Sequence, residues 1–199
     1  MTQILPLLSL LSVGFSAPVT PAGTSWGRDW ASIRKAAQRV KSVRAEFVQR
    51  KHMKILLRPL VSKGGFRFSS PASITWEYTS PIKSRLVMSK GSVTRYLWEN
   101  GQFRADANSR TSAMQVVLAE VALWIKGHFL KSRTFSPVLK PGTPTVIQLT
   151  PKTAAIKQFI QRIDLTLDTR PGAIRQVTIL EGARATTTMQ FTNTKVTYR

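Results

Sequence analysis

Apolar residues recur along the chain in two rhythms. Trp26, Trp30, Ile33, Ala37 and Val40 follow at steps of four, three, four and three, the stripe of an amphipathic helix. Ser25 is placed to cap that helix, and Arg28, Arg34, Lys35, Arg39 and Lys41 occupy its other faces. From Val43 the step becomes two. Val43, Ala45, Phe47 and Gln49 alternate with Arg44, Glu46, Val48 and Arg50, as a half-buried strand requires. Turn signals then arrive at short intervals, at Lys63-Gly64-Gly65, Ser70-Pro71, Ser80-Pro81, Lys90-Gly91 and Asn100-Gly101. The runs between them, residues 66–69, 74–78, 85–89, 93–98 and 102–105, are rich in strand formers. Asn100-Gly101 is a strong hairpin signal.

Residues 113–126 interrupt the strands. This segment has no Gly or Pro, its apolar residues cover more than half of a helical circumference, and Gly127 can end it. Strand signals resume at 128–139, 145–149, 159–167, 173–180 and 186–191. Consecutive short strands joined by tight turns predict one strongly curved antiparallel sheet with two helical segments on one side, an α+β chain that is mainly β. Two helices cannot fill the concave face of a sheet of about ten strands, so an apolar cavity is expected.

Residues 4–15 are uncharged and mostly apolar, too short to span a bilayer, and are followed by the small residues Ser16 and Ala17. They fit a secretory signal peptide over residues 1–16, leaving a single domain over 17–199. One feature is atypical: the first 27 residues hold no Lys or Arg.

Composition narrows the chemistry. The chain of 199 residues has no Cys and only two His, His52 and His128, which excludes thiol nucleophiles, disulfides and Cys- or His-rich metal sites. No nucleophile elbow, phosphate loop or dinucleotide fingerprint occurs. Asp164 and Asp168 stand beside Arg162 and Arg170 and read as salt-bridged acids, while Glu46 and Glu77 are isolated. His52 reads as exposed on the basic side of its strand, and His128 as a structural residue after a helix end. An enzyme is not expected, nor a cofactor or metal. Thirty Lys and Arg against nine Asp and Glu give a net charge of +21, which attracts anionic partners. A basic single-stranded nucleic-acid-binding module is the alternative reading, since cations alternate along 44–54 and aromatic residues are available for stacking. Against it, Phe66, Phe68, Trp76 and Tyr78 stand at the even spacing of core or cavity residues.

Residues 47–91 carry a more specific pattern: Phe47-x-Gln49 with Lys51, then Arg58-Pro59-Leu60 and Ser62, the strand entry Gly65-Phe66-Arg67-Phe68, and Pro71-x-x-Ile74-x-Trp76-Glu77-x-x-x-Pro81. With Leu149-Thr150-Pro151-Lys152 and Lys157-Gln158-Phe159, this resembles the LolA family of periplasmic lipoprotein carriers. The resemblance implies an incomplete antiparallel β-barrel closed by a helical lid over an apolar cavity. It implies a periplasmic monomer whose cargo is an acylated lipoprotein or related lipid, passed from an inner-membrane exporter complex to an outer-membrane acceptor. Phe47, Phe66, Phe68, Ile74, Trp76, Tyr78, Leu86 and Met88 are the expected cavity residues, and Met114, Val117, Leu118, Val121 and Trp124 the expected lid. Ser70 departs from the Arg that such carriers often place before this proline, where it is thought to hold the lid shut. Arg58-Pro59-Leu60 and Trp76-Glu77 look closer to relatives that accompany lipid exporters.

Overall fold

The computed structural model describes residues 26–106, 111–182 and 185–199, apart from the side chains of 111–117. The expected signal peptide over 1–16 and the expected cap Ser25 lie outside the described residues. Helix α1 (Trp30–Gln38) starts at Trp30 rather than Trp26 because Asp29 takes the cap. The Asp29 carboxylate accepts from the Ser32 backbone N–H at 2.6 Å, and the Ser32 hydroxyl accepts from the Asp29 N–H at 3.3 Å, a reciprocal capping box. Trp26 instead donates its indole N–H to the Asp168 carbonyl at 2.7 Å, fastening the chain ahead of α1 to the sheet.

Strands β1 (Val40–Met53), β2 (Leu60–Ser69), β3 (Ser73–Ser80), β4 (Ser84–Ser89), β5 (Ser92–Glu99) and β6 (Gln102–Ala105) form a meander. Helix α2 (Thr111–Ile125) and a single 3-10 turn (Phe129–Lys131) follow. Then come β7 (Phe135–Lys140), β8 (Val146–Pro151), the short α3 (Ala154–Lys157), β9 (Ile160–Leu167), β10 (Ile174–Glu181) and β11 (Ala185–Tyr198). All eleven strands form one antiparallel sheet in the order β6-β5-β4-β3-β2-β1-β11-β10-β9-β8-β7. Its ends, β6 and β7, are not paired with each other, so the sheet is open.

Four of the five early turn signals fall between strands, but Lys63-Gly64-Gly65 lies inside β2. Gly64 is there for close approach: a Cβ would stand 2.0 Å from the Glu77 carbonyl oxygen and 2.6 Å from the Phe47 ring. The turn falls earlier, between Met53 and Leu60. The strand expected over 128–139 is also divided. The buried Ser132 hydroxyl accepts from the Phe135 N–H at 2.9 Å, turning the backbone before β7 begins. Helix α3 has no counterpart in the sequence reading, because four residues show no helical period. At the end of α2, His128 N–H reaches the Leu123 carbonyl and Gly127 N–H the Trp124 carbonyl, with Gly127 at φ 69°, a left-handed cap at the expected position.

Two core clusters lie on one side of the sheet. One joins β1–β5 to Leu118, Ala122 and Ile125 of α2; the other joins β7–β9 to Ile33 of α1 and Trp124 of α2. Helix α2 therefore bridges both halves, with Val121 packed against each. The sheet bends beneath it. Three strand spacings separate β3 from β11, about 14 Å in a flat sheet, yet the rings of Trp76 and Phe191 are 6.3 Å apart. Two acids are paired as expected, Asp164 with Arg162 at 3.0 Å and Asp168 with Arg170 at 2.9 Å, whereas Glu77, isolated in the sequence, meets Arg85 at 2.8 Å because the β3–β4 register sets the two opposite each other. Hydrogen bonds from Arg170 hold the Asp168 carboxyl down at about 2, against the opposing effect of burial.

Candidate functional site: an apolar hollow beneath α2

Cross-strand register sorts the side chains of β2, β3 and β4 into parallel rows. One row, Phe68–Ile74–Met88, is closed off in the core, and Ile74 has no exposure at all. The next row, Phe66–Trp76–Leu86, faces open space. Tyr78 lies one row further, opposite Gly64, with Phe47 over that glycine. The space has a volume of about 370 Å³, within the range of ligand cavities. Its second wall comes from β9, β10 and β11 through Ile163, Val177, Ile179 and Phe191, and its third from α2 through Leu118, Val121, Trp124 and Ile125.

Of the expected cavity residues, the structure brings Phe66, Trp76, Tyr78 and Leu86 together on the lining. Phe47, Phe68, Ile74 and Met88 lie in the core cluster and do not border the hollow. Phe47 supports the wall from behind, with ring centroids 5.3 Å from both Trp76 and Tyr78. Of the expected lid, Leu118, Val121 and Trp124 line the hollow, while the side chains of Met114 and Val117 lie outside those described. The wall from β9–β11 is absent from the sequence-based set, although the two-residue step of Val177 and Ile179, and of Met189 and Phe191, was there to be read. Glu120, also on the lining, was missed as well.

The chemistry of this surface is almost wholly apolar. Tyr78 donates its hydroxyl proton to Gln49 Oε1 at 3.0 Å. Burial pushes its phenol above the ordinary value, with the neighbouring Trp76 indole acting the other way, so it stays neutral. The two histidines are elsewhere. His52 is exposed, and burial together with Lys131, Lys126 and Arg34 lowers the pKa of His128. Ser70 accepts a hydrogen bond from the Arg199 guanidinium and donates its backbone N–H to the Lys41 carbonyl, which places it just past the end of β2 beside the start of β1, in the middle of the sheet. Among the described residues no helix is long and apolar enough to cross a membrane.

Comparison with known proteins gives one match at the level of families. The model for outer membrane lipoprotein carrier protein LolA matches residues 38–199, nearly all of the described chain. No curated protein matches the chain. Among solved structures, a LolA superfamily protein from Nitrosomonas europaea is similar, at 10% identity over 84% of this chain and 93% of that one, with a TM-score of 0.37. A putative outer membrane lipoprotein-sorting protein domain from Vibrio parahaemolyticus matches at 10% identity over 85% and 92%, with a TM-score of 0.41. The MucA/MucB complex of Pseudomonas aeruginosa matches at 14% identity and a TM-score of 0.43. There 85% of this chain is covered but only 56% of the other, so this chain spans little more than half of that protein.

Proposed function

The chain belongs to the LolA family of outer membrane lipoprotein carrier proteins, and from that premise we propose that it shelters acyl chains in the hollow beneath α2 while they cross the periplasm. The cargo is a lipoprotein or a related lipid bound for the outer membrane. The observation that carries this reading is a 370 Å³ space walled by apolar side chains from both halves of the sheet and from one helix. Its free energy follows from hydration. Each buried methylene is worth about 0.8 kcal/mol, so two or three exposed chains of roughly 16 carbons would cost tens of kcal/mol. A carrier must offset most of that and still release its load to a membrane. Helix α2 suits this task as a lid: it touches both halves of the sheet, and widening or closing its contacts changes the room beneath. The protein acts as a monomer that receives cargo from an inner-membrane exporter complex and yields it to an outer-membrane acceptor.

The nucleic-acid alternative finds no support in the placement of the aromatic rings of β1, β2 and β3. Phe47, Phe66 and Phe68 are buried, and Trp76 and Tyr78 turn into the hollow rather than onto the basic outer face. The experiment is direct: lipids extracted from the purified protein and identified by mass spectrometry are expected to include acylated species in near-stoichiometric amount. A protein that carries none, and that does not take up a hydrocarbon fluorophore when offered, would end the proposal.

A further inference from the structure

Four buried side-chain atoms among the described residues lack a hydrogen-bond partner: Trp76 Nε1, Trp124 Nε1, Glu120 Oε2 and Thr194 Oγ1. All four residues line the same hollow. Buried polar groups in folded proteins are nearly always paired; these four atoms belong to the lining but are closed off while the hollow is empty, so a ligand meets them only as it parts the walls. Glu120 is 94% buried and stands one turn before Trp124 on α2, which puts a carboxylate and an indole N–H on one face of the helix. Two of the orphans are donors only, one is a carboxylate oxygen, and the threonine hydroxyl can act either way.

We propose that the ligand enters this hollow with its polar linkage as well as its chains: an acyl ester or amide whose carbonyl accepts from Trp76 and Trp124 and whose neighbouring N–H or O–H donates to Glu120. Plain hydrocarbon offers nothing to these groups. A linkage with both an acceptor and a donor satisfies them once the lining has parted around the ligand, and fixes how deep the chains sit. This rests on the carrier reading, and its test separates the two. Diphenylhexatriene reports binding of pure hydrocarbon; N-(2-hydroxyethyl)hexadecanamide, which displaces it, reports binding of a chain with its linkage. In Trp124→Phe and in Glu120→Leu the ratio of amide to hydrocarbon affinity is expected to fall about three- to tenfold, the worth of one hydrogen bond. Glu120→Gln, which keeps an acceptor oxygen, is expected to hold the ratio near that of the parent. Trp76→Phe provides the same test from the sheet side should an α2 variant misfold. Equal change in both affinities would overturn the proposal and leave the carrier reading intact. Failure of diphenylhexatriene to bind the parent protein would overturn both.

A separate observation concerns the connection between β1 and β2. Ile55 and Leu57 are 83% and 106% exposed there, flanked by Lys54 and Arg58, with Leu60 and Val61 exposed just beyond. No acidic residue occurs between Glu46 and Glu77, a stretch that also holds Arg50, Lys51, Lys63 and Arg67. Large exposed aliphatic residues at a hairpin tip, ringed by cations, match the depth profile of an anionic bilayer: apolar side chains below the headgroups and ammonium or guanidinium groups among them. We infer that this tip docks on an anionic lipid surface. The Ile55→Ser/Leu57→Ser double variant leaves the charge intact. It is expected to sediment with vesicles of phosphatidylglycerol and phosphatidylcholine at least tenfold more weakly than the parent, and both are expected to ignore pure phosphatidylcholine. Equal binding by the variant would assign the attraction to the +21 field alone and overturn the inference. So would hairpin-dependent binding to polyglutamate without vesicle binding, which would assign the tip to an acidic protein.

Discussion

Gly64→Ala is expected to destabilise the fold by about 3 kcal/mol or more, the upper end for overpacking in a core. The added methyl would stand 2.0 Å from the Glu77 carbonyl oxygen, far inside contact distance, and 2.6 Å from the Phe47 ring. Neither neighbour can retreat cheaply. The Glu77 backbone is held in the β2–β3 and β3–β4 pairings, and Phe47 is 1% exposed with aromatic rings on three sides. For a chain of this size the loss corresponds to a melting temperature lower by roughly 6–12 °C. Gly65→Ala is the control: its Cβ would meet only the Ala45 carbonyl at 3.8 Å, an ordinary contact, so a change under about 1 kcal/mol is expected. Thermal or denaturant unfolding of the pair checks this, and equal melting temperatures would refute the packing argument.

The second large effect is on binding. Val177 lies on β10, half-buried, opposite Leu165 on β9 and Met189 on β11, and it borders the hollow. In Val177→Asp the carboxylate would be hydrated in the empty space and would lose its water on entry of the acyl chains proposed above. The penalty for stranding an unpaired charge among methylenes is several kcal/mol, so affinity for an acyl fluorophore is expected to fall on the order of a hundredfold. Stability should fall far less, because Val177 is not among the fully enclosed residues. Val177→Ile is expected to bind nearly as the parent does. Retained binding in Val177→Asp, measured by titration with the fluorophore, would mean that the chains sit elsewhere. Val177 is a cleaner probe than Trp76, whose ring also packs on Phe47, Phe66 and Phe191.

Local rhythm made much of the architecture legible. The alternation around Phe47 and the turns at Ser70-Pro71, Ser80-Pro81, Lys90-Gly91 and Asn100-Gly101 mark strands because burial on one face imposes a period of two. The apolar 113–126 segment stands out for the opposite reason, being apolar over more than half of its circumference and touching two halves of the sheet. What failed was whatever depends on distant partners. A Gly-Gly pair signals a turn or a close backbone approach with equal force, and only Phe47 and Glu77 decide which. Phe66 and Phe68 obey the same alternation, yet one borders the hollow and the other is sealed in the core, because the row and not the strand sets where packing stops. The wall from β9–β11 depends on a sheet curvature that no short stretch encodes. Glu120 reads as a solvent-facing helix residue until its neighbours are known.

The middle of the sheet is the seam between β1 and β11, where Val43 meets Val196 and Phe47 meets Phe191. These partners are separated by almost the whole length of the described chain, so the loop-closure cost of joining them is met near the end of folding. A chain emerging amino end first from its site of synthesis thus has α2 to lay against both half-sheets, but no strand pairing joins them until its last strand arrives.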